Sequence, residues 1–190
     1  MKTFLIFFVL TFVTVNISAQ DISLTPQDRL TMNRFYADLV GKTATLNGDW
    51  GLFGGMRAGY NIDKNTSIGL IGTGLIPEQL GSAYINNDSR DELHLGYGGV
   101  EAAYKYNVSE RVYLTGTMMI GAGRVDYEKM DGNDYFFITE PGASFNYRLT
   151  EWFALGYGVN YRFAAGVKYA DLSNASFSGW SMDLSMKFGF

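Results

Sequence analysis

The feature that most restricts this 190-residue chain is an alternation of period two that returns, segment after segment, from residue 34 to the end. The last segment shows it plainly. Trp180, Met182, Leu184, Met186, Phe188 and Phe190 are bulky and apolar, and Ser181, Asp183, Ser185, Lys187 and Gly189 between them are small or charged. Successive side chains of a strand point to opposite faces, so this spacing puts the oily side chains on one face and both signs of charge on the other. Residues 152–165 repeat it, with Phe153, Leu155, Tyr157, Val159, Tyr161 and Phe163 against Ala154, Gly156, Gly158, Asn160, Arg162 and Ala164. Each run matches or exceeds the ~9–11 residues of a tilted membrane-crossing strand.

The same reading predicts strands over 34–46, 52–62, 66–76, 99–106, 111–125 and 135–149. In 99–106 the apolar side is Val100, Ala102, Tyr104 and Tyr106, and the phase slips near Gly98-Gly99, where a bulge is expected. Asn47-Gly48 is a type I′ hairpin signal. Residues 63–65, 108–110 and 149–151 form tight turns, whereas 77–91, 128–134 and 166–176 form longer polar loops. From residue 63 onward short and long connections alternate, as they do in transmembrane barrels. The expectation is an all-β fold: a closed antiparallel eight-stranded transmembrane β-barrel with both ends on one side.

A secreted soluble ligand-binding barrel has the same strand count with its apolar face inward. Here the polar faces hold Arg57, Glu101, Lys105, Glu140, Arg148, Arg162, Asp183 and Lys187, together with most glycines. That suits a narrow lumen filled by side chains. Buried charges must be paired to be tolerated, so a lumenal charge network of Arg57, Glu101, Glu140, Arg162, Asp183 and Lys187 is expected. Aromatic residues also sort by depth. Phe35, Tyr60, Tyr104, Tyr106, Phe145, Tyr147, Trp152, Phe153, Phe188 and Phe190 fall at the short-turn rim. Trp50, Tyr127, Tyr135, Phe137, Tyr161, Phe163, Phe177 and Trp180 fall at the other. Two aromatic girdles around an aliphatic band belong to an outer-membrane barrel.

The first residues are of another kind. Lys2, the apolar run 4–15 and the small Ala19 read as a signal peptide over residues 1–19, cut before Gln20. The rival is an uncleaved anchor, for which the run is short. Residues 20–33 form a polar leader, and 34–190 the barrel domain. No cysteine is present, which excludes a lipidated N-terminal Cys, a disulfide framework and a thiolate nucleophile. A formal charge of -4 gives no electrostatic case for nucleic acid.

The terminal strand closing on Phe190 resembles the signal by which bacterial outer-membrane proteins are recognised for insertion. The resemblance implies that Trp180, Met182, Leu184, Met186, Phe188 and Phe190 serve as that insertion signal for the barrel assembly machinery. The mature chain resembles the small OmpA/OmpX-like eight-stranded barrels. More narrowly, "LNGDWGLFGGMRAGYNI", "LGYGGVEAAYKYN", "FFITEPGASFNYRLTEWFALGYGVNYRF" and "SMKFGF" are similar to uncharacterised Bacteroidetes-type outer-membrane β-barrel proteins. The resemblance implies residence in the outer membrane of a Gram-negative bacterium and contact with its lipid. It leaves activity open, because one fold hosts many functions.

No cofactor is implied, and the expected role is non-enzymatic: envelope stability, or surface contact through the outer loops. The alternative is an outer-leaflet lipid-modifying enzyme of the PagP or PagL type. His94, the one histidine, lies near Ser89, Asp91 and Glu92, but PagL-type deacylases carry His and Ser two apart on one strand, and here the second position after His94 is Gly96. The outer loops are acidic. Asp131-Gly-Asn-Asp134 offers oxygen ligands without the full spacing of a calcium loop. Gly54-Gly55, Gly98-Gly99 and Gly121/Gly123 lack the strand–helix context of a nucleotide loop and are expected to make packing space in the lumen.

Overall fold

The computed structural model describes residues 34–76, 85–86, 91–127, 132–168 and 172–189. Residues 1–33, over which a signal peptide and leader are expected, most of the 77–91 loop, residues 128–131 and 169–171, and Phe190 lie outside them. Nine strands are present among the described residues: β1 Phe35–Leu46, β2 Asp49–Asn61, β3 Thr66–Leu75, β4 Ile85–Asn86, β5 Asp91–Asn107, β6 Val112–Tyr127, β7 Asp134–Arg148, β8 Phe153–Ala165 and β9 Gly179–Phe188. A short helix, α1 Asn174–Phe177, precedes the last strand. Eight strands pair antiparallel in sequence, β9 pairs β1, and β3 pairs β5 across the position that β4 skips, so the ring closes. The two-residue β4 pairs with β5 alone, at Ile85↔Glu92 and Asn86↔Asp91. The eight-stranded closed barrel read from the sequence is the fold observed.

The local sequence explains the connections. Asn47 and Gly48 both have positive φ, 49° and 89°, as a type I′ turn requires, and Leu46 faces Asp49 across it. The three turns at the opposite end share one build. Ile62, Val108 and Leu149 each donate their N–H to a carbonyl four residues on, at Thr66, Val112 and Phe153. The residue after each supplies a side-chain oxygen that accepts from the backbone within the turn: Asp63 from Asn65 and Thr66, Ser109 from Val112, Thr150 from Trp152. Asp, Ser and Thr are turn residues for this reason. This end, which also holds the start of β1 and the close of β9, is the turn end below; the other is the loop end.

Burial settles the facing. In β8 the residues Ala154, Gly156, Gly158, Asn160, Arg162 and Ala164 are buried, while Leu155, Tyr157, Val159 and Phe163 are exposed. Leu39, Met56, Leu70, Val100, Ile120, Leu184 and Met186 are exposed in the same way, between exposed aromatics such as Tyr104 and Tyr147 at the turn end and Trp50, Tyr135 and Trp180 at the loop end. Apolar side chains therefore cover the outside. At the turn end Trp152, Phe153 and Phe188 pack together, with Phe153 and Phe188 centroids 5.2 Å apart, which fastens the end of β9 to β8.

Three expectations are corrected. The strand expected over 99–106 runs from Asp91 to Asn107 with unbroken register on both sides, Gly98 facing Gly72 and Ala122, and Gly99 facing Ile71 and Gly121. There is no bulge at Gly98-Gly99. The apparent slip arises because Leu93, Leu95 and Tyr97 point inward although apolar. Second, Phe177 is not a girdle residue: it is 0% exposed and stacks on Phe136, ring centroids 5.0 Å apart. Third, Gly54 and Gly98 stand at outward parity, so only Gly55, Gly99, Gly121 and Gly123 of the glycines named above serve the lumen.

Candidate functional site

The candidate site is the filled lumen, and strand register builds it. At the turn end Asp38 of β1 lies opposite Arg57 on one side and Lys187 on the other. Arg57 Nη1 reaches Asp38 Oδ2 at 3.0 Å, and its Nε stands 2.7 Å from Glu101 Oε1 of β5. That second bond spans β3, where the inward position facing Glu101 is Gly69. Lys187 Nζ lies 3.9 Å from the same Asp38 oxygen. The layer is therefore a chain of alternating sign, Lys187–Asp38–Arg57–Glu101, which is how a dry lumen tolerates four ionised groups.

A second layer lies deeper. Lys42 of β1 makes an ion pair and a hydrogen bond with Glu140 Oε1 of β7, and Tyr97 of β5 donates from its hydroxyl to Glu140 Oε2 at 3.1 Å. Lys42 Nζ also donates to the Tyr97 oxygen at 3.3 Å. None of these strands is adjacent to another of the three, so the contacts cross the bore. Nearby, Asn160 Nδ2 donates to Asp183 Oδ2 at 2.6 Å. Gly158 faces Asp183 across β8 and β9, and a Cβ there would stand 2.6 Å from Asp183 Oδ2. This glycine is a socket for the aspartate.

Above that layer the lumen turns apolar. Phe53, Leu93, Leu95, Met119, Val125, Phe136, Ile138 and Phe177 form one buried cluster. Arg162 sits beneath it, 1% exposed. Its Nε donates to Phe177 O at 2.5 Å and its Nη2 to Thr45 O at 2.8 Å. Its guanidinium carbon lies 5.5 Å from the Phe53 ring and 5.3 Å from the Tyr97 ring, within cation–π range. Asn47 N–H donates to Ser176 O at 2.7 Å and Ala164 N–H to Ser178 Oγ at 3.0 Å. The segment after β8 is thus drawn into the loop end as a stopper.

The sequence-predicted residues divide accordingly. Arg57, Glu101 and Lys187 share one layer. Glu140 and Asp183 belong to the next, and Arg162 pairs with backbone carbonyls and rings rather than with a carboxylate of the network. Arg57 pairs with Glu101, Glu140 with Lys42, and Arg162 with the carbonyls of Phe177 and Thr45. Asp38, Lys42 and Tyr97 complete the network and were missing from it. Asp38 and Lys42 carry a signal, because both stand on the inward parity of β1. Among the described buried side chains, four acids (Asp38, Glu101, Glu140, Asp183) balance four bases (Lys42, Arg57, Arg162, Lys187).

A cavity of about 40 Å³ remains at the turn end, lined in part by Tyr36, Asp38, Arg57, Glu101, Tyr113 and Lys187. That volume matches one or two water molecules in size. His94 is exposed on the outward face of β5, directly across from Asp126, and Gly96 shares that face. Asp134, expected among possible calcium ligands, accepts the Lys168 N–H at 2.5 Å through Oδ2; Asp131 lies outside the described residues. No group of three or more His, Cys, Asp or Glu side chains suited to a metal occurs among the described residues.

No protein-family model matches the sequence, and no curated protein matches it. Solved structures do. The crystal structure of Neisserial surface protein A (NspA) aligns with a TM-score of 0.58 at 17% identity, over 82% of this chain and 96% of that one. Ail, the attachment invasion locus protein of Yersinia pestis, in complex with the heparin analogue sucrose octasulfate, aligns with a TM-score of 0.53 at 12% identity, over 83% and 97%. At these identities the likeness is one of fold, and the fold is that of the small eight-stranded transmembrane β-barrels, apolar outside and ionised within.

Proposed function

We propose that this chain is an integral outer-membrane barrel of a Gram-negative bacterium whose role is non-enzymatic: it stabilises the envelope or makes surface contacts through its outer loops. The observation that carries this reading is the stoppered lumen. Its loop-end half is packed with apolar side chains under Phe177, and its centre is tied across by Lys42, Tyr97 and Glu140. Such an interior serves as a rigid peg for the outer loops.

Signal-peptide cleavage after Ala19, insertion by the barrel assembly machinery and the narrower likeness to Bacteroidetes-type barrels belong to the same proposal. They are supported by the sequence segments quoted above. The enzymatic alternative would place a nucleophile beside His94; that face carries Gly96 and, on β6, Arg124 and Asp126.

The test is a deletion strain of the host bacterium, compared with its parent for sensitivity to detergent and chelator and for the acyl composition of lipid A. The proposal expects heightened sensitivity or lost surface adhesion with lipid A unchanged. A specific loss or gain of one acyl chain would establish the lipid-modifying enzyme in its place. Release of the protein from membranes by carbonate without detergent would favour the soluble ligand-binding barrel.

A further inference from the structure

Among the side chains described, the outward faces of the eight barrel strands carry ionisable groups other than tyrosine in one corner only. His94 on β5 and Arg124 and Asp126 on β6 all stand near the loop end. Everywhere else these faces are apolar, aromatic, small or hydroxylic. Charge on the lipid side of a barrel costs about 2–4 kcal/mol at the midplane and about 0–1 near the interfaces. The corner therefore lies where lipid headgroups lie.

Its geometry is specific. Arg124 Nε stands 3.2 Å from Asp126 Oδ1, two residues along the same face, and the Arg124 side chain is 53% exposed. Asp126 faces His94 across the β5–β6 ladder, and Arg124 faces Gly96, which has no side chain to cover it. On its other flank Arg124 faces Tyr135, also exposed. A guanidinium held through Nε keeps both Nη groups as donors, the arrangement that grips a phosphate by two parallel hydrogen bonds.

We infer that this corner is a binding site for the phosphate of a membrane lipid. Arg124 supplies the charge-assisted donors, Asp126 holds the guanidinium in place, and His94 borders the site. Exposed Ile120 of β6, lying towards the midplane, meets the acyl chains. Charge complementarity selects a phosphate, and the apolar surface below selects a lipid over free phosphate. The inference rests on the membrane reading above.

The test is native mass spectrometry of the detergent-folded full chain titrated with dipalmitoyl phosphatidylglycerol, with dipalmitoylglycerol as the phosphate-free control. A charge-assisted hydrogen bond contributes about 1.5–3 kcal/mol, so Arg124→Gln should weaken retention of phosphatidylglycerol about ten- to a hundredfold. Arg124→Lys should recover part of the loss. Equal retention by wild type and Arg124→Gln, or equal retention of the two lipids, overturns the site. Displacement of phosphatidylglycerol by inorganic phosphate overturns the lipid as its ligand. Heat-dependent gel migration reports folding separately. A chain that never shows it refutes the membrane reading, whereas a folded chain without the lipid difference refutes this site alone.

Discussion

Lys42 and Glu140 lie on β1 and β7, strands separated by two others, and their ion pair crosses the barrel with both side chains almost wholly buried. A bond of this kind constrains shape more than it adds net energy, because desolvation of two charges offsets much of their attraction. Breaking one side is another matter. Lys42→Met leaves Glu140 without its cation, and about 3–5 kcal/mol of stability should be lost. The double variant Lys42→Met, Glu140→Met should recover most of it. Denaturant midpoints of the protein folded in vesicles decide this; a double variant no better than the single would mean that the pair is not the tie described.

Arg162 is the latch of the loop-end stopper, through Phe177 O and Thr45 O. Arg162→Met should keep the barrel closed yet free the segment around α1. Amide exchange at Phe177 and Ser178 should quicken and proteolysis there should rise, while exchange in β1 and β9 below Ala44 stays slow. Unchanged protection at Phe177 would show that the ring stack on Phe136 suffices without the arginine.

Two glycines make a paired test of lumen packing. Gly158 is filled from the lumen by Asp183, whereas Gly41, on the outward face of β1, meets open space where a Cβ finds nothing within 4 Å. Gly158→Ala should cost about 1–3 kcal/mol through overpacking. Gly41→Ala should be neutral or stabilise by about 0.5–1 kcal/mol, because alanine loses less entropy on folding. Similar midpoints for the two variants would contradict the socket.

Val159 faces outward at the middle of β8, and Leu155 faces outward two residues inside its turn end. Replacing either by Arg should reduce insertion, by about 2–4 kcal/mol at Val159 near the midplane and by less at Leu155. The check is the folded fraction on heat-dependent gel migration after refolding into vesicles, where wild-type yields from both variants would argue against the depth assigned. In cells, deletion of Phe190 should slow assembly, seen as less folded protein in the outer membrane; unchanged levels would remove that residue from the insertion signal.

How much of this was legible in the sequence depended on which side of each strand water and lipid contrast. In β8 and β9 the two faces differ sharply, as Leu155 against Gly156 or Met182 against Asp183, and parity alone gave the facing. In the loop-end half of β5, β6 and β7 the inward face is itself apolar. Leu93, Met119 and Ile138 pack inward while Val100, Ile120 and Phe137 face outward, and residue type cannot tell a dry lumen from lipid. Unbroken parity from Glu101 back through Tyr97 to Leu93 was the available signal, and a bulge was the wrong reading of it. The partners of the charges were harder still. That Lys42 meets Glu140 follows from the closure and register of strands far apart in the chain, and that Arg162 meets carbonyls follows from the loop after β8 folding inward. Neither is encoded in spacing along one strand.

The native sequence has no cysteine, so single cysteines report without interference. Nitroxide labels at Leu155→Cys, Ile120→Cys and Met186→Cys, with Ser109→Cys in an exposed turn as the reference, can be read in vesicles for collision with oxygen and with a water-soluble nickel chelate. The inside-out barrel predicts that the first three labels collide readily with oxygen and are shielded from nickel, while the label at 109 meets nickel freely. Nickel accessibility at 120, 155 and 186 equal to that at 109 would contradict it.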